Sequence, residues 1–119
     1  MNKTEIGSKR MKEILGNEAD IVLEKFKAAS PDFAKYVTDF AYGDVYCRDG
    51  LSDKSRELAA VAMLLGQGNV SFAFKAHIQG MLNVGWTQNE IKELILFAIP
   101  YVGFPTAAEA LVTVEEILS

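Results

Sequence analysis

The chain is poor in the residues that carry most enzyme chemistry. It has one histidine, His77, and one cysteine, Cys47, among 119 residues. A lone cysteine excludes an intrachain disulfide, a CxxC redox pair and a thiolate zinc site, and it favours a reducing, cytoplasmic location. One histidine without an HxxxH motif or clustered carboxylates makes a poor metal site, so we expect no bound metal.

Long apolar runs and an excess of positive charge are also missing. No stretch is apolar enough to cross a bilayer, and the first five residues lack the apolar core of a signal peptide. The net charge of −4 provides no footprint for nucleic acid or an anionic membrane, so we expect neither as a partner. An anionic ligand would need arginines placed locally. Half of the residues are hydrophobic, which predicts one folded domain over residues 1–119.

The spacing of the apolar residues predicts an all-α fold, a compact bundle of about six to seven helices. Apolar residues recur three and four positions apart, and strand alternation is missing. Ser30-Pro31 and the pair Thr87 and Glu90 have the pattern of helix N-termini. Helices are predicted over 4–15, over 18–29, from 31 to a loop at 43–50, over 52–66, over 69–83, from 87 to an interruption or kink at Pro100 and Gly103, and from 105 onward.

The same spacing predicts which faces point inward. One helix, over residues 57–65, is apolar on almost every side and should be buried all round. A chain of this size cannot easily cover such a helix alone, which favours association with other copies. The residues expected to face inward elsewhere are Phe33, Tyr36, Val37 and Phe40 in the third helix, and Ala107, Leu111, Val114 and Leu118 in the last.

His77 and Glu57 are the candidate acid–base pair. Glu57 lies four residues before Val61 and His77 four before Met81, so both ionisable groups belong to apolar helix stripes. A buried carboxylate is costly unless it is paired, and a neighbouring imidazole would satisfy it. Such a pair suits general acid–base catalysis near neutral pH. Structural roles remain open: a hydrogen-bonded core histidine, and a carboxylate that stabilises the first turn of its helix.

Several short segments match a known family in order and spacing along nearly the whole chain. They are residues 7–16, 40–46, 48–51, 56–58, His77, 83–87 with 90–91, and 101–105 with 107–108. Together they resemble the carboxymuconolactone decarboxylase family, which includes the alkylhydroperoxidase D-like proteins. The resemblance implies an all-helical, alkylhydroperoxidase D-like fold that assembles with itself, commonly as a homotrimer or homohexamer.

The decarboxylase branch of this family fits better than the hydroperoxidase branch. Hydroperoxidase members carry a CxxC pair before the histidine, whereas Val70 and Ala73 occupy those positions here. A dithiol peroxidase needs one thiolate to attack the peroxide and a second thiol to resolve the intermediate. Two residues depart from the decarboxylase pattern: Asp49 stands where proline is common, and Glu57 resembles the hydroperoxidase-like members.

The resemblance implies a cofactor-independent 4-carboxymuconolactone decarboxylase, a lyase of aromatic-compound catabolism. Loss of CO2 from this lactone leaves a conjugated dienolate, so no cofactor is needed as an electron sink. The protein must hold a small anionic substrate, exclude water and deliver a proton. In this interpretation His77 donates the proton and Glu57 orients it. Arg48 or Arg56 binds a carboxylate with its planar guanidinium, and Tyr46 shapes the pocket or binds the lactone oxygen.

Other functions remain compatible with these residues. The arginines are by default solvated or structural ion pairs, and Tyr46 is by default a packing residue. The protein would then be a family member without decarboxylase activity. It would act on another small lactone or carboxylate, serve a peroxiredoxin-like antioxidant role, or be an oligomeric binding or scaffold module.

Overall fold

The computed structural model describes residues 1–119 and contains helices but no strands, which confirms the all-α prediction. Seven α-helices and one π-helix follow one another and form two compact units, Met1–Ser52 and Asp53–Ser119. The assignment of the whole chain to one domain stays a prediction. None of the helices combines the length and the apolar composition that a bilayer crossing requires.

The helices begin and end close to the predicted positions, with two differences. The third helix continues as a π-helix to Val45 where a loop from Gly43 was expected, and α5 begins at Phe72, three residues later than predicted. The elements are α1 Lys3–Leu15, α2 Glu18–Ala29, α3 Pro31–Tyr36, the π-helix Val37–Val45, α4 Asp53–Gly66, α5 Phe72–Asn83, α6 Gln88–Val102 and α7 Phe104–Leu118.

In the first unit, α1 packs closely against the π-helix. Gly7 makes this approach possible, because a Cβ atom built on it would lie 1.6 Å from the carbonyl oxygen of Thr38. Thr38, Tyr42 and Gly43 are the buried residues of the π-helix. Arg10 fastens the C-terminal end of the π-helix, since its Nε donates to the carbonyl oxygen of Tyr46 at 2.9 Å.

The inward face predicted for the third helix is wrong. Phe33, Tyr36 and Phe40 are 52%, 71% and 63% exposed, and Val37 is only half-buried. Phe33 and Tyr36 belong to α3, and Val37 and Phe40 to the π-helix. The i→i+5 bonding of the π-helix changes the rotation per residue, so spacings of three and four do not mark one face across this junction. The large aromatic side chains also cannot occupy the close contact that Gly7 makes with this segment.

The core of the second unit is built from all four of its helices. Each contributes buried apolar side chains, two from α4 and three each from α5, α6 and α7. In α7 the inner face differs slightly from the prediction: Leu111 is 37% exposed, and Ala110 is buried instead. The fully or almost fully buried members are Val61, Leu65, Phe74, Ile78, Met81, Ile91, Ile95, Ala98, Ala107, Ala110 and Val114.

The two helices that carry the candidate residues form an antiparallel hairpin. A short connection over residues 67–71 joins the end of α4 to the start of α5. The sequence suggested that α4 is buried on all sides. Within one chain it is not. Glu57, Val61 and Leu65 face the core, whereas Met63 is 63% exposed. That a further copy covers this face stays a prediction.

The boundaries of α6 agree with the local signals in the sequence. Thr87 accepts a hydrogen bond from the backbone N–H of Glu90, and the Glu90 carboxylate accepts one from the backbone N–H of Thr87, which completes a capping box. Pro100 lies inside the helix near its C-terminal end. Gly103 then separates α6 from α7 and adopts a positive φ of 85° that favours glycine.

Candidate functional site

Glu57 and His77 contact each other directly. The Nδ1 atom of His77 lies 2.7 Å from Oε1 of Glu57, which joins the first turns of α4 to the middle of α5. The Glu57 side chain is fully buried, and that of His77 is 19% exposed. The structure thus brings together the two residues that the sequence put forward for acid–base chemistry.

The burial of Glu57 gives the contact its chemical meaning. It is the only charged residue that is buried, and every buried side-chain nitrogen or oxygen has a hydrogen-bond partner. A carboxylate removed from water is stable only when it is paired or hydrogen-bonded. His77 supplies such a hydrogen bond.

The short contact also assigns different roles to the two nitrogens of the imidazole ring. A carboxylate accepts hydrogen bonds, so in the pairing of an ionised Glu57 with His77 the Nδ1–H group is the donor and Oε1 of Glu57 the acceptor. The second ring nitrogen, Nε2, is then the atom that can exchange a proton with a bound molecule. The arrangement can therefore take up and release a proton at Nε2.

Arg56 lies next to Glu57 in the first turn of α4. Its side chain is largely buried, with 12% exposed, and its guanidinium is 3.3 Å from the Asp53 carboxylate. Arg56 therefore forms an ion pair with a residue of its own helix. An additional role in substrate binding stays a prediction.

Tyr46 and Arg48 belong to the first unit, at and just beyond the end of the π-helix. Tyr46 stacks on Tyr42, with ring centroids 4.5 Å apart and planes 15° from parallel. Arg48 is exposed, and its backbone N–H donates to the carbonyl oxygen of Val45 at 3.3 Å. Between them the exposed Cys47 thiol donates to the carbonyl oxygen of Tyr42 at 3.1 Å. The substrate-binding roles of Tyr46 and Arg48 stay predictions.

Two residues that the sequence did not put forward support these positions. Arg10 binds the backbone of Tyr46, and Trp86 donates its indole N–H to the carbonyl oxygen of Lys54 at 2.8 Å. Trp86 lies in one of the segments that match the family, so a tryptophan in a loop was a visible signal. No local pattern distinguishes Arg10 from the other charged residues of α1.

The sequence is similar to those of known decarboxylases. A profile of the Carboxymuconolactone decarboxylase family matches residues 31–116. The chain is 34% identical over 106 residues to a 4-carboxymuconolactone decarboxylase of Acinetobacter baylyi, a match that covers 88% of this chain and 78% of that protein. It is 31% identical over 116 residues to a nitrosuccinic acid decarboxylase of Metarhizium robertsii, covering 95% and 79%. The chain therefore belongs to the carboxymuconolactone decarboxylase family.

Proposed function

We propose that this protein is a cofactor-independent carboxy-lyase for a small organic acid, with 4-carboxymuconolactone as the first candidate substrate. The observation that carries the proposal is the buried Glu57–His77 pair, with Nδ1 and Oε1 2.7 Å apart. It is supported by two relatives that are both named as decarboxylases.

The two named substrates share the chemistry that such a pair can assist. In 4-carboxymuconolactone the carboxylate leaves from a carbon conjugated with the lactone, and in nitrosuccinic acid from the carbon that bears the nitro group. The electron pair of the broken C–C bond passes to an oxyanion of the substrate in both cases, as a dienolate or a nitronate. The substrate is its own electron sink, so the protein needs only to stabilise that charge and supply a proton.

His77 is the proton donor in this mechanism. As an imidazolium it donates from Nε2 to a carbon of the delocalised anion, while Nδ1 stays hydrogen-bonded to Glu57. CO2 leaves, the new C–H bond forms, and the neutral imidazole regains its proton from water. The Glu57 carboxylate holds the ring in this orientation, which is the role of the acid in a histidine–carboxylate pair.

Arginines provide the attraction that the chain as a whole does not. With a net charge of −4 the protein repels an anionic substrate at long range. We assign Arg48, whose side chain is exposed, as the first candidate for the carboxylate that the substrate retains, because a guanidinium binds a carboxylate in two places at once. Arg56 is the second candidate, and Tyr46 shapes the pocket or binds the lactone oxygen.

We also propose that the protein assembles with itself through the exposed face of α4 and α6. These helices line a cavity of about 310 Å³, at whose border Phe97 and Tyr101 are 67% and 77% exposed. With about 150–250 Å² for a whole aromatic side chain, these two alone expose roughly 300 Å² of surface. An exposed aromatic patch beside an apolar groove is the kind of surface that a second copy would cover. A homotrimer or homohexamer is the assembly that the family membership favours.

The function is tested by measuring CO2 release and substrate loss with both named acids. We expect turnover of 4-carboxymuconolactone, or of nitrosuccinic acid if the substrate differs, without any added cofactor. Catalysis of neither, by a protein that is folded and assembled, would contradict the carboxy-lyase proposal and favour the binding or scaffold alternative. Peroxide reduction supported by a dithiol is the control reaction, and we expect none.

A further inference from the structure

We propose that Trp86 is a positioning residue that keeps Glu57 and His77 at hydrogen-bonding distance. It does so by closing the open end of the hairpin formed by α4 and α5, because it is attached to both helices. Its effect on turnover rests on the proposed function, whereas its effect on the Glu57–His77 contact does not.

Trp86 is attached to α5 through its backbone. Its N–H donates to the carbonyl oxygen of Met81 at 3.0 Å, beyond the end of the helix. Gly85, with a positive φ of 111°, permits the reversal of the chain that this bond requires. Met81 lies four residues after His77, so the bond is anchored one helical turn from the imidazole. Trp86 therefore moves together with the part of α5 that carries His77.

Trp86 is attached to α4 through its side chain. The indole N–H donates to the carbonyl oxygen of Lys54 at 2.8 Å, and the Lys54 ammonium lies 4.4 Å from the centroid of the same ring. Lys54 is three residues before Glu57, about 4.5 Å along the helix axis. The Trp86 ring thus contacts both the backbone and the side chain of Lys54, which lies one helical turn before Glu57.

The position of these contacts explains why they matter for the pair. At its other end the hairpin is closed covalently by residues 67–71. The Glu57–His77 contact lies about one turn inside the open end, where no covalent link restrains the two helices. A hydrogen bond of 2.7 Å weakens steeply when its atoms separate beyond about 3.2 Å, so a small opening of this end would break it. The shared core holds the two helices together along their length, and Trp86 adds a direct link between them at this end.

The test removes the indole N–H and follows His77 directly. Trp86→Phe keeps an aromatic ring near Lys54 but cannot donate a hydrogen bond. Because His77 is the only histidine, its two ring nitrogens can be identified without ambiguity in a ¹⁵N spectrum. We expect the wild type to show one tautomer, with the proton on Nδ1, and Trp86→Phe to show a mixture. We expect kcat to fall about 10- to 100-fold with KM changed less than about threefold, the effect of a small misplacement of a catalytic group.

Thr87→Ala is the matched control, because it removes the neighbouring helix cap and leaves the Trp86 contacts in place. It should lower the melting temperature but keep the nitrogen spectrum and kcat of the wild type. If Trp86→Phe unfolds, benzothienylalanine at position 86 replaces the N–H by sulfur with almost the same shape. Wild-type nitrogen shifts in the variant that folds would overturn the proposal. Suppose that Trp86→Phe alters the nitrogen shifts but the wild type decarboxylates neither acid. The positioning role of Trp86 is then supported, and only the proposed function is contradicted.

Discussion

Nδ1 of His77 lies 2.7 Å from Oε1 of Glu57, although the two residues are 20 positions apart in the chain. One partner is fully buried and the other is 19% exposed, so the pair reaches from the protein interior towards its surface. A buried negative charge is thereby coupled to a ring nitrogen that can exchange protons. This coupling makes His77 the first residue to replace.

Replacing His77 by glutamine should separate catalysis from folding. In His77→Gln the side-chain amide can still donate a hydrogen bond to Glu57, so we expect the protein to stay folded and assembled. Turnover of the substrate should fall by about 10²- to 10⁴-fold, the usual contribution of a positioned acid or base. Steady-state kinetics and thermal melting check both parts. Lys75→Gln, an exposed substitution on the same helix, should change neither. Equal turnover by His77→Gln would exclude this histidine as the proton donor.

Gly7→Ala should strongly destabilise the first unit. The added Cβ would lie 1.6 Å from the Thr38 carbonyl oxygen and 2.5 Å from its carbon, so α1 and the π-helix would have to separate. We expect a loss of about 2–3 kcal/mol in the free energy of unfolding, the upper range for overpacking. Gly50→Ala is the control, because a Cβ added there would meet nothing within 4 Å, and it should change stability by less than about 0.5 kcal/mol. Denaturant unfolding of both variants measures the difference, and similar values would refute the close contact.

The capping box of α6 should make stability depend on pH. The backbone N–H of Thr87, followed by its hydroxyl, lowers the pKa of the Glu90 carboxyl below its ordinary value of 4.5. The pKa of Glu90 is lower in the folded protein than in the unfolded chain. The stabilisation is therefore fully present at a pH above the unfolded pKa, and it is lost as the pH falls through the folded pKa. The difference in unfolding free energy between wild type and Glu90→Gln should therefore be larger at neutral pH than in acid. Urea titrations across this range check it; a difference that grows on acidification would contradict the assignment.

A charge on the exposed face of α6 should disrupt self-association. Tyr101 is 77% exposed in the single chain, so Tyr101→Lys should leave the fold intact while it places an unpaired charge in the proposed interface. We expect light scattering to give an oligomer for the wild type and a smaller species for the variant. Phe40→Lys serves as the control, since Phe40 is a 63% exposed aromatic residue of the π-helix. A monomeric wild type would exclude self-association, and dissociation by Phe40→Lys alone would place the interface elsewhere.

Sequence reasoning succeeded where the signal is local. The helix starts at Ser30 and Thr87 were predicted because a capping side chain bonds to a backbone N–H only three residues away. The apolar stripes of Glu57 and His77 were also visible, although their contact depends on how the hairpin pairs residues 20 positions apart. The exposure of Phe40 was missed because a π-helix has no sequence pattern comparable to the apolar spacing of an α-helix. Phe33 and Tyr36 lie in α3, and their apolar spacing alone indicated the wrong face.

The π-helix also determines the direction in which the side chains that follow it point. Each residue of a helix rotates the chain by a fixed angle, so deleting one residue between 37 and 45 should change the direction in which Tyr46 points. The bond from Arg10 to the Tyr46 carbonyl oxygen would then be lost. The direction in which Tyr46 and Arg48 point is thus encoded by the number of residues before them as much as by their identity. Insertions and deletions in this segment should be far less tolerated than substitutions on its exposed face.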